Sequence, residues 1–149
     1  MTGTADAMRR IIAATDGSSG ANRAVDTAAR LAKALSTDLV ILTVGGSITG
    51  AELRRLAGIG GDVAATLKSA SNRVLKQAQK RAQHLGIAAP KLENGWGDPA
   101  ETIIDIVRSE KATMLVVGRR GRGRLSGLLL GSVSQKVASL APCIVIVVP

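Results

Sequence analysis

The sequence predicts an α/β fold with a parallel sheet and helices on both of its faces. Short apolar runs of strand length recur along the chain, and segments with helical spacing of apolar residues separate them. The run at 39–44, LVILTV, is continuous rather than alternating, which is typical of a strand buried on both faces. Strands that alternate with helices favour right-handed crossovers within one sheet.

The first βαβ unit covers the N-terminal third of the chain. Residues 10–15 are predicted to form strand one, and the sequence Asp16-Gly17-Ser18 that follows is typical of a turn. Ser18 or Ser19 is expected to cap a helix whose apolar residues keep helical spacing as far as Leu35. Strand two is the run at 39–44.

The middle of the chain contains a long connection and the longest helix. Residues 45–61 include six glycines and a short amphipathic piece, ELRRLA, and are predicted to be a mobile loop. Residues 62–85 carry an apolar stripe at helical spacing, with Gly86 as the expected C-cap. Residues 91–95 are the weakest strand candidate.

The last third contains a clear helix start and two more strands. Asp98, Pro99 and Glu101 have the residue types that favour the N-cap, N1 and N3 positions. Residues 114–117 are predicted to be strand four, and a helical pattern follows Ser132. Strand five is predicted at 143–148, CIVIVV.

Composition limits the class of protein. The 149 residues, 1–149, are predicted to form one domain, and with Trp96 as the only aromatic residue its core must consist of Val, Ile, Leu and Ala. Cys143 is the single cysteine, so an internal disulfide is excluded and a buried, inert thiol is expected. His84, the single histidine, has no neighbours that suggest catalysis. No apolar run reaches the ~20 residues of a membrane span, so we expect a cytoplasmic protein without membrane contact.

The charge of the chain points to anionic partners. The formal net charge is +9, which favours nucleic acid, a membrane surface or phosphates, although a solvated basic surface would have the same composition. Proteins that bind single strands without sequence preference usually stack bases on aromatic side chains. One tryptophan makes a dedicated nucleic-acid function the weaker alternative.

The stretch from Met114 to Leu140 has the chemistry of an anion site. A predicted strand ends at Gly118, a loop of alternating Arg and Gly follows, and a helix begins after Gly131. Glycines let a ligand approach the backbone, and the first amides of a helix have no partner within it. Positive charge from Arg119, Arg122 and their neighbours favours a ligand that carries phosphate.

The spacing of these residues sharpens the prediction. Gly118, Gly121, Gly131 and Ser132 form the pattern Gly-x2-Gly-x9-Gly-Ser, which resembles the nucleotide-binding motif of the ATP-binding branch of the universal stress protein family. The C-terminal segment LLLGSVSQKVASLAPCIVIVVP is similar to that family as well. A Walker A loop is excluded because no Gly-Lys-Ser/Thr occurs, and the third glycine of a dinucleotide fingerprint would fall on a serine.

The resemblance covers the chain from about Met8 to Pro149 and implies a five-stranded, doubly wound sheet of order 3-2-1-4-5. It also implies a homodimer, which we expect to form through strand five, between Cys143 and Val148. In this order the ligand crevice lies between strands one and four, beyond their carboxyl ends. Asp16 and Gly118 end these two strands and therefore face each other across the crevice.

The resemblance also assigns roles within the crevice. Asp16 is expected to contact the ribose, and its alternative role is an Asx-turn or a helix cap. Val44 is expected to contact the adenine, and its alternative role is ordinary core packing. Similar proteins often have aliphatic or prolyl residues directly before the aspartate, where this chain has Ala14 and Thr15. This difference changes the expected packing of adenine. The remaining candidates are Ala14, Thr15, Gly118, Arg119, Gly121, Arg122, Gly131, Ser132 and Val133.

Two of these assignments have structural alternatives. Ser132 is expected to bind phosphate, but with Gln135 three residues later it also fits a capping box. The arginines are expected to act mainly through their collective field, since a run of charge is often a solvated loop.

The predicted function is an adenine-nucleotide sensor or regulator of the stress response. The expected ligand is ATP or another adenine nucleotide, and magnesium would be bound mainly by phosphate oxygens and water. Asp16 is the single acidic residue placed at the site, so slow hydrolysis or none is expected. The alternatives are a slow ATPase or autokinase, and a basic module that binds nucleic acid or another polyanion.

Overall fold

The structure is a computed structural model that describes residues 10–46, 50–60, 62–120 and 130–149. Strands and helices alternate, apart from one pair of consecutive helices. The strands are β1 (Arg10–Ala14), β2 (Asp38–Val44), β3 (Lys91–Gly95), β4 (Met114–Gly118) and β5 (Ile144–Val148). The helices are α1 (Ser19–Leu35), α2 (Gly50–Gly58), α3 (Asp62–His84), α4 (Pro99–Ser109) and α5 (Ser132–Leu140).

All five strands form one parallel sheet in the order β3-β2-β1-β4-β5. β1 is central: its Ala13 is in register with Ile41 of β2 and with Val116 of β4. The predicted fold class and strand order are therefore confirmed. The direction of strand addition reverses beside β1, so the carboxyl ends of β1 and β4 border the crevice of this fold.

The sheet separates two apolar layers. Successive side chains of a strand point to opposite faces, so neighbouring residues of β1 enter different layers. One layer joins Ile11, Ala13 and Ile41 to α1 and α3. The other joins Ile12 and Leu42 to α4 and α5.

Helix α1 contacts the sheet through very small side chains. Its buried residues are Ala21, Ala24, Val25, Ala28, Ala29 and Ala32. Alanine contributes little volume, so the helix backbone lies close to the strands. A Cβ atom built on Gly118 would lie 3.0 Å from the carbonyl carbon of Gly20 in the first turn of α1. The end of β4 therefore abuts the N-terminus of α1.

Two helices begin with side-chain caps that the sequence predicts. The hydroxyl of Ser18 accepts a hydrogen bond from the amide of Ala21, and the carboxylate of Asp98 accepts one from the amide of Glu101. The hydrogen bond from the amide of Glu101 and the nearby Lys136 lower the pKa of Asp98 below its ordinary value. Pro99 follows Asp98 at the start of α4, as expected.

The connection after β2 differs from its prediction as a mobile loop. Most of residues 45–61 belong to α2, which spans Gly50–Gly58. Leu53 is the buried residue of this helix, with 4% of its surface exposed, and it lies in the amphipathic piece ELRRLA. Packing of one apolar face against α3 outweighs the helix-weakening glycines at the ends of the segment. Strand boundaries differ from prediction by one residue, at Ala14, Asp38, Gly118 and Ile144.

The last strand forms an edge of the sheet. β5 pairs only with β4 among the described strands, and Ile144 exposes 53% of its surface. Leu140, at the end of the preceding helix, exposes 56%. Apolar groups are therefore accessible at this edge. Across the described parts of the chain, no helix is long and apolar enough to cross a membrane.

Candidate functional site

A cavity of about 260 Å³ lies beyond the carboxyl ends of β1, β2 and β4, where the strand order reverses. Its lining comes from the ends of these strands and from the first turns of α1, α4 and α5. The lining residues that the sequence predicts are Ala14, Thr15, Asp16, Val44, Gly118, Gly131, Ser132 and Val133. Those that it does not predict are Ala21, Leu42, Pro99, Ile103, Val117, Arg120, Leu130 and Ser134.

Three predicted residues are not among the described lining residues. Arg119 is exposed and does not line this cavity; it lies in a neighbouring depression with Arg23 and Pro149. The physical reason is that its backbone continues the pairing of β4 with β5, where its amide donates to the carbonyl of Val148 at 2.7 Å. Gly121 and Arg122 lie outside the described residues.

The end of β1 presents a carboxylate on a rigid turn. The amide of Ser18 donates to Oδ1 of Asp16 at 2.9 Å, and the amide of Gly17 donates to Oγ1 of Thr15 at 3.1 Å. The Asx-turn foreseen as the alternative role of Asp16 is therefore present. Asp16 also lines the cavity, so the turn aligns its carboxylate rather than removing it from the site.

One wall of the cavity is aliphatic. Leu42 and Val44 are two residues apart on β2 and share a face, so both contribute to this wall. Pro99 and Ile103 of α4 and Val117 of β4 also line the cavity. Together these side chains can contact a flat apolar group without offering it a hydrogen bond.

The segment between β4 and α5 is held at both ends. The amide of Gly131 donates to the carbonyl of Arg119 at 2.8 Å, which places the start of α5 beside the end of β4. Ser134 is buried, and its hydroxyl donates to the carbonyl of Gly118 at 2.6 Å and lies 3.0 Å from that of Arg119. These bonds fix the first turn of α5 at the mouth of the cavity.

The N-terminus of α5 is not capped by a side chain. Gly131 occupies the N-cap position with φ −69° and ψ 165°, and Ser132 is the first helical residue. The alternative in which Ser132 caps its own helix is therefore wrong, because the helix begins one residue earlier than a serine cap requires. Ser132 is exposed, and the first amides of α5 adjoin the cavity.

The charges of the lining favour an anion that also carries donors. Asp16 is the only carboxylate among the described lining residues, and Arg120 is the only cation. Nε of Arg120 is buried and lacks a hydrogen-bond partner among the described residues. A buried guanidinium donor of this kind needs an acceptor, which a phosphate oxygen would supply.

The lining offers little for catalysis or for a protein-bound metal. Within the described residues, no three His, Cys, Asp or Glu side chains lie close enough to hold a metal ion. Cys143 lies outside the cavity lining, and burial raises the pKa of its thiol. The predicted inert thiol is consistent with this direction.

Sequence reasoning missed the residues that reach the cavity from distant segments. Leu42 could have been found, because it shares a strand face with Val44 two residues later. Ile103 and Ser134 carry no such signal, since an isoleucine in an apolar stripe and a serine in a first helical turn are common. Their positions depend on how α4 and α5 pack on the sheet.

Comparisons with known proteins agree with this geometry. Residues 8–149 match the universal stress protein family. Universal stress protein YxiE of Bacillus subtilis is 30% identical over 145 residues, which cover 93% of this chain and 97% of the relative. Universal stress protein Rv1636 of Mycobacterium tuberculosis is 31% identical over 144 residues, covering 95% and 97%. A solved universal stress protein in complex with cAMP is 27% identical, with a TM-score of 0.73 and coverage of 95% and 97%. The chain therefore belongs to the universal stress protein family.

Proposed function

We propose that this protein binds an adenine nucleotide, with ATP as the principal ligand, and acts as a nucleotide-dependent regulator of the stress response. The observation that supports the proposal is one cavity that combines an aliphatic wall, a carboxylate and an uncapped helix N-terminus. The universal stress protein that is 27% identical was solved in complex with cAMP, which supports an adenine ligand for this chain.

The aliphatic wall suits the base. Adenine presents two apolar faces, which Val44, Leu42 and Ile103 can contact. The described lining residues include no aromatic ring, so dispersion and desolvation, rather than ring stacking, would hold the base. Ala14 and Thr15 leave room beside it, since both side chains are small.

The phosphates fit the opposite end of the cavity. The first amides of α5, the hydroxyl of Ser132 and the guanidinium of Arg120 all offer donors there. Contacts from Gly121, Arg122 and Val133 remain predictions of the motif. Magnesium would arrive with ATP and be bound mainly by phosphate oxygens and water, because the lining has a single carboxylate.

Regulation fits the site better than turnover does. Hydrolysis of ATP requires a group that orients water and charges that stabilise the transferred phosphoryl group. The described lining contains no histidine, and its one carboxylate is held in a turn. A single-turnover assay with labelled ATP separates the two functions. Release of phosphate within minutes would establish the slow ATPase instead.

Identification of the copurifying small molecule tests the proposal most directly. We expect denaturation to release an adenine nucleotide in near-stoichiometric amount, which mass spectrometry would identify. We also expect calorimetry to show that the emptied protein binds ATP. Guanine nucleotides serve as the matched control. Equal affinity for GTP, or no binding of either nucleotide, would contradict the proposed ligand.

Substitution of Asp16 tests the ribose contact. Asp16→Ala removes the acceptor, so binding of ATP and ADP should weaken alike by roughly 1–3 kcal/mol, the usual consequence of leaving polar groups unpaired. Inorganic triphosphate, which has no ribose, should bind no more weakly. Asp16→Asn keeps an oxygen for the turn that Ser18 closes, so it separates loss of the carboxylate from loss of the turn. A folded Asp16→Ala protein that loses triphosphate and ATP equally would refute the assignment.

We also propose that the protein is a homodimer joined through β5. The edge of β5 has no strand partner among the described residues, and Ile144 and Leu140 are apolar and exposed. Two-fold pairing of this edge would satisfy its backbone and cover these side chains. We expect light scattering at micromolar concentration to give the dimer mass.

A lysine at the edge tests where the dimer forms. Ile144→Lys should shift the mass to that of the monomer, because a charge on an edge strand opposes pairing. Leu35→Lys is the matched control, since Leu35 is also apolar and exposed but lies at the end of α1. A monomer mass for the unmodified chain, with and without ATP, would exclude the dimer.

A further inference from the structure

Among the four described helices that cover the sheet, the positive charge lies on one side. Helices α1 and α3, which share an apolar layer, carry eight Lys or Arg and two Asp, a net charge of +6. Helices α4 and α5, on the opposite side, carry two Lys or Arg and two acidic residues, a net charge of zero. The side of the sheet that α1 and α3 cover is therefore the more strongly basic one.

Helix α3 presents this charge as a continuous row. Arg73, Lys76 and Lys80 are three and four residues apart and share one face, and Lys68 extends this side of the helix about two turns before Lys76. All four side chains are exposed. Within the described residues none of the four forms an ion pair, whereas Arg81 on the neighbouring face is paired with Asp26. The cations of this row are therefore available to an external partner.

We infer that the row of cations on α3 binds the phosphate backbone of a nucleic-acid duplex without sequence preference. The row runs from Lys68 to Lys80 within α3, so it is about 18 Å long, roughly half a turn of a duplex. A duplex presents roughly one charge per 1.7 Å along its axis, so about ten phosphates lie within reach of a row of this length, more than its four cations need.

The remaining side chains of this face suit a duplex better than a membrane. The other exposed residues between positions 68 and 80 are Ser69, Ala70, Asn72 and Gln77. Hydroxyl and amide groups are common donors to phosphate and sugar oxygens. An interfacial helix needs large apolar side chains to enter the lipid headgroups, and this face has none. Single strands are disfavoured too, because the face has no aromatic ring on which bases could stack.

Fluorescence anisotropy with a labelled DNA duplex of random sequence tests the inference. We expect binding at low salt that weakens linearly in the logarithm of salt concentration. Lys76→Gln with Lys80→Gln should reduce that salt slope by roughly 1.8, since each lost phosphate contact contributes about 0.9. Saturating ATP should leave the duplex affinity unchanged, because the row lies outside the cavity lining.

A matched variant separates the row from net charge. Arg108→Gln with Lys136→Gln removes the same two charges from the opposite side of the sheet and should leave the slope unchanged. Equal reductions of the salt slope in both double variants would overturn the inference, and so would displacement of the duplex by ATP. Tighter binding to phosphatidylserine vesicles than to the duplex would show that the face recognises a membrane instead. Failure of ATP to bind at all would refute the proposed function and leave this inference untouched.

Discussion

Replacing Gly131 by valine is expected to abolish the binding of ATP and ADP while the protein stays folded. Gly131 is the N-cap of α5 and lines the cavity directly beside the first amides of that helix. Phosphate must approach those amides to within hydrogen-bond distance, and a branched side chain at the N-cap would stand in its path. Its backbone, at φ −69° and ψ 165°, is ordinary extended geometry that valine adopts readily.

The stability of the variant should fall only slightly. Valine is a poorer N-cap than glycine, and exchanges at this position change stability by about 1 kcal/mol. Calorimetry gives the affinity, and circular dichroism during urea unfolding shows that the fold persists. Gly50→Val is the matched control, because Gly50 begins α2 and does not line the cavity. Normal ATP binding by folded Gly131→Val protein would refute the phosphate assignment and with it the proposed function of the motif.

Replacing Gly45 by alanine is expected to destabilise the fold by about 1–3 kcal/mol, the usual result of forcing extra volume into packed surroundings. A Cβ atom at Gly45 would lie 2.4 Å from two ring carbons of Trp96 and 2.6 Å from Oγ of Ser71. Ser71 is buried in α3 and cannot move aside without disturbing that helix, and the large indole of Trp96, directly after β3, would have to swing away from its present contact. Urea unfolding followed by circular dichroism measures the loss.

Two further variants locate the origin of this effect. Gly58→Ala is the control, because no atom lies within 4 Å of a Cβ there and alanine favours the helix. The double variant Trp96→Leu with Gly45→Ala should lose less stability than the sum of the losses in the two single variants, since leucine leaves space for the new methyl group. Strict additivity, or a Gly45→Ala protein as stable as the unmodified chain, would contradict the steric explanation.

The elements of this fold follow from local signals that are unusually clear in the chain. The continuous apolar run LVILTV became the buried β2, and Asp98 followed by Pro99 begins α4 as their residue types predict. Asp16 and Gly118 meet at one cavity because the strand order places the ends of β1 and β4 side by side. The order itself came from the family resemblance, because pairing of distant strands leaves little trace in local patterns.

The parts that sequence reasoning missed depend on tertiary contacts. Helix α2 forms in a glycine-containing segment because Leu53 is buried and the helix packs against α3. The piece ELRRLA is amphipathic, but the sequence does not show this tertiary contact. Ile103 reaches the cavity only because α4 crosses the sheet beside β2. Arg119 was expected at the ligand, but it lines the neighbouring depression, whereas Arg120 lines both that depression and the cavity. Which of the two arginines reaches the cavity depends on the path of the backbone after β4, which the bond from the Arg119 amide to the Val148 carbonyl holds in place.

The alanine-lined face of α1 makes the tolerance of this protein to sequence change asymmetric. A core normally loses stability in both directions, through cavities when side chains shrink and through strain when they grow. Most positions on this face are already alanine, so there is little volume left to remove, and almost every available change is an enlargement. Enlargement would lift α1 from the sheet and draw its N-terminus, with Gly20, away from the end of β4. Selection for the spacing of the crevice would therefore act on residues of α1 as far away as Ala32. Of the buried residues of this helix, Ala21 alone lines the cavity.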